Sequence, residues 1–293
     1  MGFNLATLST FNLQDSGILI QKAVLGADLM QYLDVRPGYA SATVSVNVLG
    51  MTAGFTDASC GWTSAGSTNF TQIAVDNQKY SWKQSLCLNE LNDYWLSTQL
   101  DASAYGEKLP FEQQIADQMI QETRKYAESI LGGQMITQVT VANGAAAGPT
   151  GAWSSSNAYD KAIATIDALP LAVASRDDLM MFMSYANFRY LQTDIVSKNL
   201  FHYNTGATTG SGLGQSIIIP GTNVRAIPVG GLGTSPKVFC GPAKHAVVVC
   251  GLIDDTERIQ GWWSRDNQEI RMISEFSMGL GVIASEYVYT AGA

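Results

Sequence analysis

Residues 109–133 read LPFEQQIADQMIQETRKYAESILGG, and the fold is decided by how this stretch is read. Pro110 suits the first turn of a helix, where a missing N–H costs nothing, and Glu112 adds an acid near the positive end of the dipole. Phe111, Ile115, Met119, Tyr126 and Ile130 recur at steps of about four and mark one apolar side. Gly132-Gly133 supplies a stop. The spacing predicts a helix over 110–131, about 30 Å long at 1.5 Å per residue. A shorter helix is expected just before it, around Leu88–Thr98.

Upstream the period changes to two. Val44, Val46 and Val48 alternate with Thr43, Ser45 and Asn47, the pattern of a half-buried strand. A Gly/Ser/Thr-rich stretch follows, and β-type residues return at Phe70–Val75 and Tyr80–Leu86. Together these predict an extended hairpin. Between Ser41 and Gln78 there is no Lys or Arg, and the only acids are Asp57 and Asp76. Solvated hairpins usually carry charge to protect their edges. One this neutral is expected to be covered by a neighbour, with Phe55, Cys60, Trp62 and Phe70 as the candidate subunit contacts. The alternative is an edge hairpin folded back on its own domain. The first forty residues read as an extended arm with one short element around Ile18–Leu33, ending in the turn signal Arg36-Pro37-Gly38.

Downstream, Gln134–Ser156 reads as strand and loop. Asn157, with Asp160 behind it, is expected to cap a helix to about Ala168. Leu169–Ser175 and Leu179–Met183 read as strands, and Asn187–Lys198 as a helix. Strands are expected at Ile217–Pro220, Val224–Val229, Lys237–Cys240 and Ala246–Ile253. Three longer ones should follow at Glu257–Ser264, Glu269–Ser277 and Gly281–Tyr289, with Arg265-Asp266-Asn267 as a hairpin turn. Helices in the middle and antiparallel strands at the end give an α+β class.

The 293 residues are 46% hydrophobic and 14% charged, against about 25% charged in an ordinary soluble domain. A surface this neutral is cheap to desolvate against other protein. The net charge of −8 disfavours nonspecific binding to phosphate backbones. No apolar stretch is long enough to span a bilayer, and Met1–Gln21 lacks the pattern of a signal peptide. Cys60, Cys87, Cys240 and Cys250 are widely spaced, without a C-x-x-C pair. They read as reduced, mostly buried thiols of a protein made in cytoplasm.

Catalytic constellations are sparse. His202 and His245 are the two histidines, and a hydrolase built on either would need a nucleophile brought beside it. The acidic pairs Asp177-Asp178 and Asp254-Asp255 are weak ligand sets, because neighbours on a strand point to opposite faces; a calcium site on one of them is the residual possibility. The Gly-rich stretches at 144–151 and 210–214 lack the Lys or the spacing of phosphate loops. No cofactor, no metal and no enzymatic activity are expected.

Several local patterns, in their order, resemble the major capsid proteins of tailed bacteriophages. Leu109-Pro110-Phe111-Glu112 opening a long helix after Leu91–Leu100 looks like their spine-helix region. Phe55, Ser59-Cys60-Gly61-Trp62 and Phe70-Thr71-Gln72 are similar to their extended loop. Leu179–Met183 followed by Ser184, Asn187, Phe188 and Arg189 resembles their central strand and helix. Ile219-Pro220-Gly221-Thr222, Trp262-Trp263-Ser264-Arg265-Asp266-Asn267, Ile270-Arg271 and Phe276 to Gly279 resemble the closing part. The resemblance spans nearly the whole chain and implies the Hong Kong 97-type fold. Its parts would be an N-terminal arm (1–38), an extended loop (39–87), a peripheral domain (88–157) with the spine helix (110–131), an axial domain (158–255) and return strands of the peripheral domain (256–293).

The resemblance further implies hexamers and pentamers tiling an icosahedral shell around double-stranded DNA held without sequence specificity. Implied partners are a portal protein, decoration proteins and a scaffolding protein, this last separate because the chain does not begin with a long helical scaffolding segment; otherwise such a segment was removed or never present. Assembly would take place in host cytoplasm, away from membranes. An encapsulin-type compartment shell is the alternative within the same fold. Some members cross-link through a Lys near the loop tip; none lies between Ser41 and Gln78, so noncovalent contacts are expected to hold the lattice.

Overall fold

The computed structural model describes residues 27–37, 43–53, 66–87, 111–200, 216–251, 259–264, 266–267 and 269–290. The described residues form two large sheets, one two-stranded ribbon and one long helix with several shorter ones. The strands are β1 (Asp34–Pro37), β2 (Thr43–Ala53), β3 (Gly66–Asp76), β4 (Gln78–Cys87), β5 (Ala146–Ala147), β6 (Leu179–Met183), β7 (Ile217–Ile218), β8 (Arg225–Pro228), β9 (Val238–Pro242), β10 (Ala246–Cys250), β11 (Ile259–Ser264), β12 (Glu269–Val282) and β13 (Val288–Thr290). The helices are α1 (Phe111–Gln138), α2 (Ala158–Asp167), α3 (Leu171–Ala174) and α4 (Tyr185–Ser197).

Strand β12 organises the five-stranded sheet. Glu269–Ser274 pairs with β11, Glu269–Met278 with β4 and Met278–Val282 with β10, all antiparallel; β1 joins β10 in parallel. Arg36 and Pro37 therefore lie within a strand and not in the expected turn: the ladder with Val249 and Cys250 extends them. The six-stranded sheet runs β5-β13-β9-β6-β8-β7. Its β6 matches the expected span, because five apolar residues between β8 and β9 are buried on both faces.

Helix α1 runs past the expected stop, through Gly132-Gly133 to Gln138. The glycines serve contact, not termination. A Cβ on Gly132 would sit 2.2 Å from the Gly231 carbonyl oxygen, so this helix turn lies directly on the 3-10 turn Gly230–Leu232. The added turns also satisfy β12 where β4 has ended. Leu280 N–H donates to Gln134 Oε1 at 2.7 Å and Val282 N–H to Gln138 Oε1 at 3.0 Å, while Gln138 Nε2 donates to the Leu280 carbonyl. The buried face is Met119, Thr123, Ala127, Leu131 and Met135, with buried Val139 just past the helix end; Tyr126, expected on that face, is half exposed and packs edge-on against Tyr80 and Phe276.

Other expectations are corrected. Leu169–Ser175 holds the short helix α3 and no strand, since Pro170 starts a turn in which the Val173 and Ala174 N–H groups donate back to its carbonyl. Asn157 precedes α2 but does not cap it by its side chain; Oδ1 turns back to accept the Ser154 N–H at 2.9 Å. The capping hydroxyl observed is that of Ser184 on α4. At the tail, Glu269–Val282 is one strand, and β13 leaves for the other sheet. The expected helix at Leu88–Thr98 lies outside the described residues.

Two cores result. One lies between α1 and the β10/β12 sheet, around Leu131, Met135, Val248, Phe276, Met278 and Tyr287. The second lies between α2, α4 and the six-stranded sheet, around Met181, Leu191, Ile219 and Val238.

Candidate assembly surfaces

Strands β2 and β3 form the expected hairpin, in register from Thr43 opposite Asp76 to Ala53 opposite Gly66. Eleven residues of antiparallel strand reach about 37 Å. Its base is anchored. Val44, Val46 and Val75 are buried against Val247 and Val249 of β10, with Ile73 beside them. Gly281 makes this possible: a Cβ there would stand 2.4 Å from Val75 Cγ2. The opposite face of the base presents Thr43, Ser45, Asn47, Gln72 and Ala74, all exposed and uncharged. Asp76 is the one charge among the described residues of the two strands.

Of the four contact candidates, Phe70 lies on β3 opposite Leu49. Phe55, Cys60 and Trp62 lie outside the described residues. The structure adds exposed apolar residues that the sequence did not single out. Leu171 on α3 is 90% exposed and Val196 on α4 is 61% exposed, with Tyr190 partly exposed on the same helix. Leu171 was hidden by the strand reading of its segment; its position just after Pro170 was the available signal.

His202 lies outside the described residues, and His245 pairs through Nδ1 with Glu286 Oε2. Asp178, one of the acids weighed as a ligand, is engaged by Arg176 through two bonds of 2.8 Å, which hold its carboxyl below the usual range. No group of three or more His, Cys, Asp or Glu residues that could hold a metal occurs among the described residues. No described helix is long and apolar enough to cross a membrane. Cys240 and Cys250 are buried, and burial pushes the Cys240 thiol up to about 12. Cys87, at the end of β4, is exposed.

Glu128 is the buried carboxylate of α1. Gly230 N–H donates to its Oε1 at 2.8 Å. Burial raises its proton affinity, and Asp28 adds to this; the Gly230 and Gly231 N–H groups and Arg124 act the other way.

No family model matches the chain, and no curated protein matches its sequence. Solved structures do match it. A chain of the satellite phage P4 procapsid, which includes the size determination (Sid) protein, superposes with a TM-score of 0.62 at 10% identity over 98% of this chain and 94% of that one. The capsid of a native GTA particle gives 0.57 at 13% identity, covering 93% and 91%. A virus-like particle from Pyrococcus furiosus gives 0.55 at 14% identity, covering 94% and 98%. Open mixed sheets with one long helix, matched over most of the chain, constitute the fold of these phage and virus-like-particle shell proteins, the Hong Kong 97-type fold.

Proposed function

We propose that the chain is a major capsid protein. Its copies form hexamers and pentamers of an icosahedral shell that encloses the double-stranded DNA of a tailed phage. The observation that carries this is the match of nearly the whole chain to shell subunits. The sparse charge of the hairpin's exposed face, where Asp76 is the one described charge, supports it. In this reading residues 1–38 are the arm, 39–87 the extended loop, 88–157 the peripheral domain with α1 as its spine, 158–255 the axial domain and 256–293 the return strands. The last two spans exchange a strand each, β10 joining the five-stranded sheet and β13 the six-stranded one. Phe55, Cys60, Trp62 and Phe70 touch the adjacent subunit. A scaffolding protein, a portal protein and decoration proteins complete the particle, which assembles in host cytoplasm.

Purified protein, alone or with its scaffold, should sediment as megadalton particles and show closed shells by electron microscopy. A chain that stays monomeric under all such conditions, with no shells in infected cells, would end this reading. The likeness to the Pyrococcus furiosus virus-like particle supports a second one, an encapsulin-type compartment. Nuclease-protected DNA inside the particles selects the phage shell, and protein cargo selects the compartment.

A further inference from the structure

Between α4 and β7 the chain runs through residues 201–215, FHYNTGATTGSGLGQ, which lie outside the described residues. The stretch holds four glycines and no Lys, Arg, Asp or Glu, so its own sequence offers little to fix its ends. The described residues on either side are fixed from elsewhere. Tyr159, in the first turn of α2, reaches both sides. Its hydroxyl donates to the Pro220 carbonyl at 3.1 Å on the returning side. Its ring lies under Lys198 on the outgoing side, with Nζ 5.4 Å from the ring centroid.

Each contact is itself held in place. Lys198 Nζ pairs with Asp160 Oδ2 at 3.0 Å and with Asp194 Oδ2 at 3.2 Å, and the Asp194 side chain is 1% exposed. The same Asp194 oxygen accepts the Tyr159 N–H at 2.7 Å, so the start of α2 and the last turn of α4 share one buried carboxylate. On the other side, Pro220 lies in a tight turn. Ile219 N–H donates to the Val224 carbonyl at 3.0 Å, Thr222 N–H to the Ile219 carbonyl at 3.0 Å and Val224 N–H to Thr222 Oγ1 at 3.3 Å. Gly221, at φ 82°, supplies the left-handed residue of the turn, and a Cβ on it would stand 3.9 Å from the Tyr159 hydroxyl.

We propose that Tyr159 is a positioning residue, a staple that joins the point where residues 201–215 leave α4 to the point where they return. The face of its ring takes the cation and its hydroxyl takes the carbonyl, so one stiff side chain carries a constraint from each end to the other. Neither contact is strong singly: a partly exposed cation over a ring, or one neutral hydrogen bond, shifts a local opening equilibrium about threefold. Their value lies in being shared. The two ends are placed by α2 and α4, whatever sequence lies between them. The staple is a property of the single chain and stands apart from the shell reading.

Amide hydrogen exchange tests it on the full-length protein, held in one assembly state and referenced to α1. The Ile219, Thr222 and Val224 amides report the returning end. Lys198→Met removes none of their partners, yet exchange there should rise about threefold, because the ring loses the cation that fixes it. Tyr159→Phe keeps the ring and loses the hydroxyl, and should raise exchange there about threefold too. The two changes together should do no more than either alone. Lys198→Arg keeps a cation over the ring and should retain wild-type protection. Should Tyr159→Phe fail to fold, the two Lys198 variants decide the matter alone. An effect of Lys198→Met confined to residues 196–200, effects that multiply in the double variant, or exchange as fast in Lys198→Arg as in Lys198→Met overturns the staple and leaves the shell reading standing.

Discussion

Strand β10 and the base of the hairpin carry the same kind of sequence in opposite surroundings. Ala246–Cys250 is uncharged and buried throughout, with Val248 and Cys250 in the α1 core and Val247 and Val249 under the hairpin. Thr43–Asn47 is equally uncharged, yet only Val44 and Val46 are buried, and Thr43, Ser45 and Asn47 face outward. In β10, charge is absent because there is no water on either side. In the hairpin Lys, Arg and Glu are absent from a wet face where Asp76 is the one described charge, although their cost within the monomer would be small. The difference separates a residue choice made by the fold from one that the fold leaves open, and the subunit contact proposed above would account for the second.

The sharpest test of that contrast is Val248→Asp. An unpaired carboxylate among Leu131, Met135 and Val248's other core neighbours should cost more than about 4 kcal/mol and abolish soluble folded protein, as judged by expression and circular dichroism. Gln134→Ala combined with Gln138→Ala strips the partners from two buried β12 amides beside β10. About 3 kcal/mol should be lost in urea unfolding. Gly281→Ala drives a methyl into Val75 and should cost about 2 kcal/mol by loosening the hairpin from the sheet; exchange at Thr43–Asn47 should rise while α1 stays protected.

Glu128 is the charged counterexample within the buried body. A folded-state carboxyl with raised proton affinity contributes stability that is full below the ordinary carboxylate range and is lost as pH rises through the raised value. Glu128→Gln should match the wild type in acid, where the carboxyl is protonated, and exceed it in urea unfolding near neutral pH. Asn47→Lys has the smallest expected effect on folding, under about 0.5 kcal/mol, yet it should cut particle yield severely. Equal loss of monomer and particles would place the exposed hairpin face inside the monomer's own structure and collapse the contrast.

Much of the fold was legible from local pattern. Leu179–Met183 is a strand as expected because a short apolar run between turn residues suits a strand with both faces covered. The hairpin followed from strict alternation, and α1 from apolar steps of four. Its end was not legible. Gly132-Gly133 carries the same signal whether a helix stops there or meets another backbone, and the deciding partner, Gly231, lies far along the chain. Likewise Glu269–Ser277 and Gly281–Tyr289 read as separate strands, whereas Gly279 and Gly281 let the hairpin lie on one continuous strand. Of the contact candidates, Phe70 was placed on the hairpin by its β-type neighbours, while the exposure of Leu171 and Val196 had no sequence signature apart from Pro170.

The sequence by itself determined the α+β class, the long helix, the uncharged hairpin and the order of motifs, because these depend on side-chain period and composition within a few turns of chain. Only the tertiary structure decided where α1 ends, which sheet receives β10 and β13, and that His245 meets Glu286. Each of those depends on a partner brought from distant sequence, and local propensity holds no record of who that partner will be.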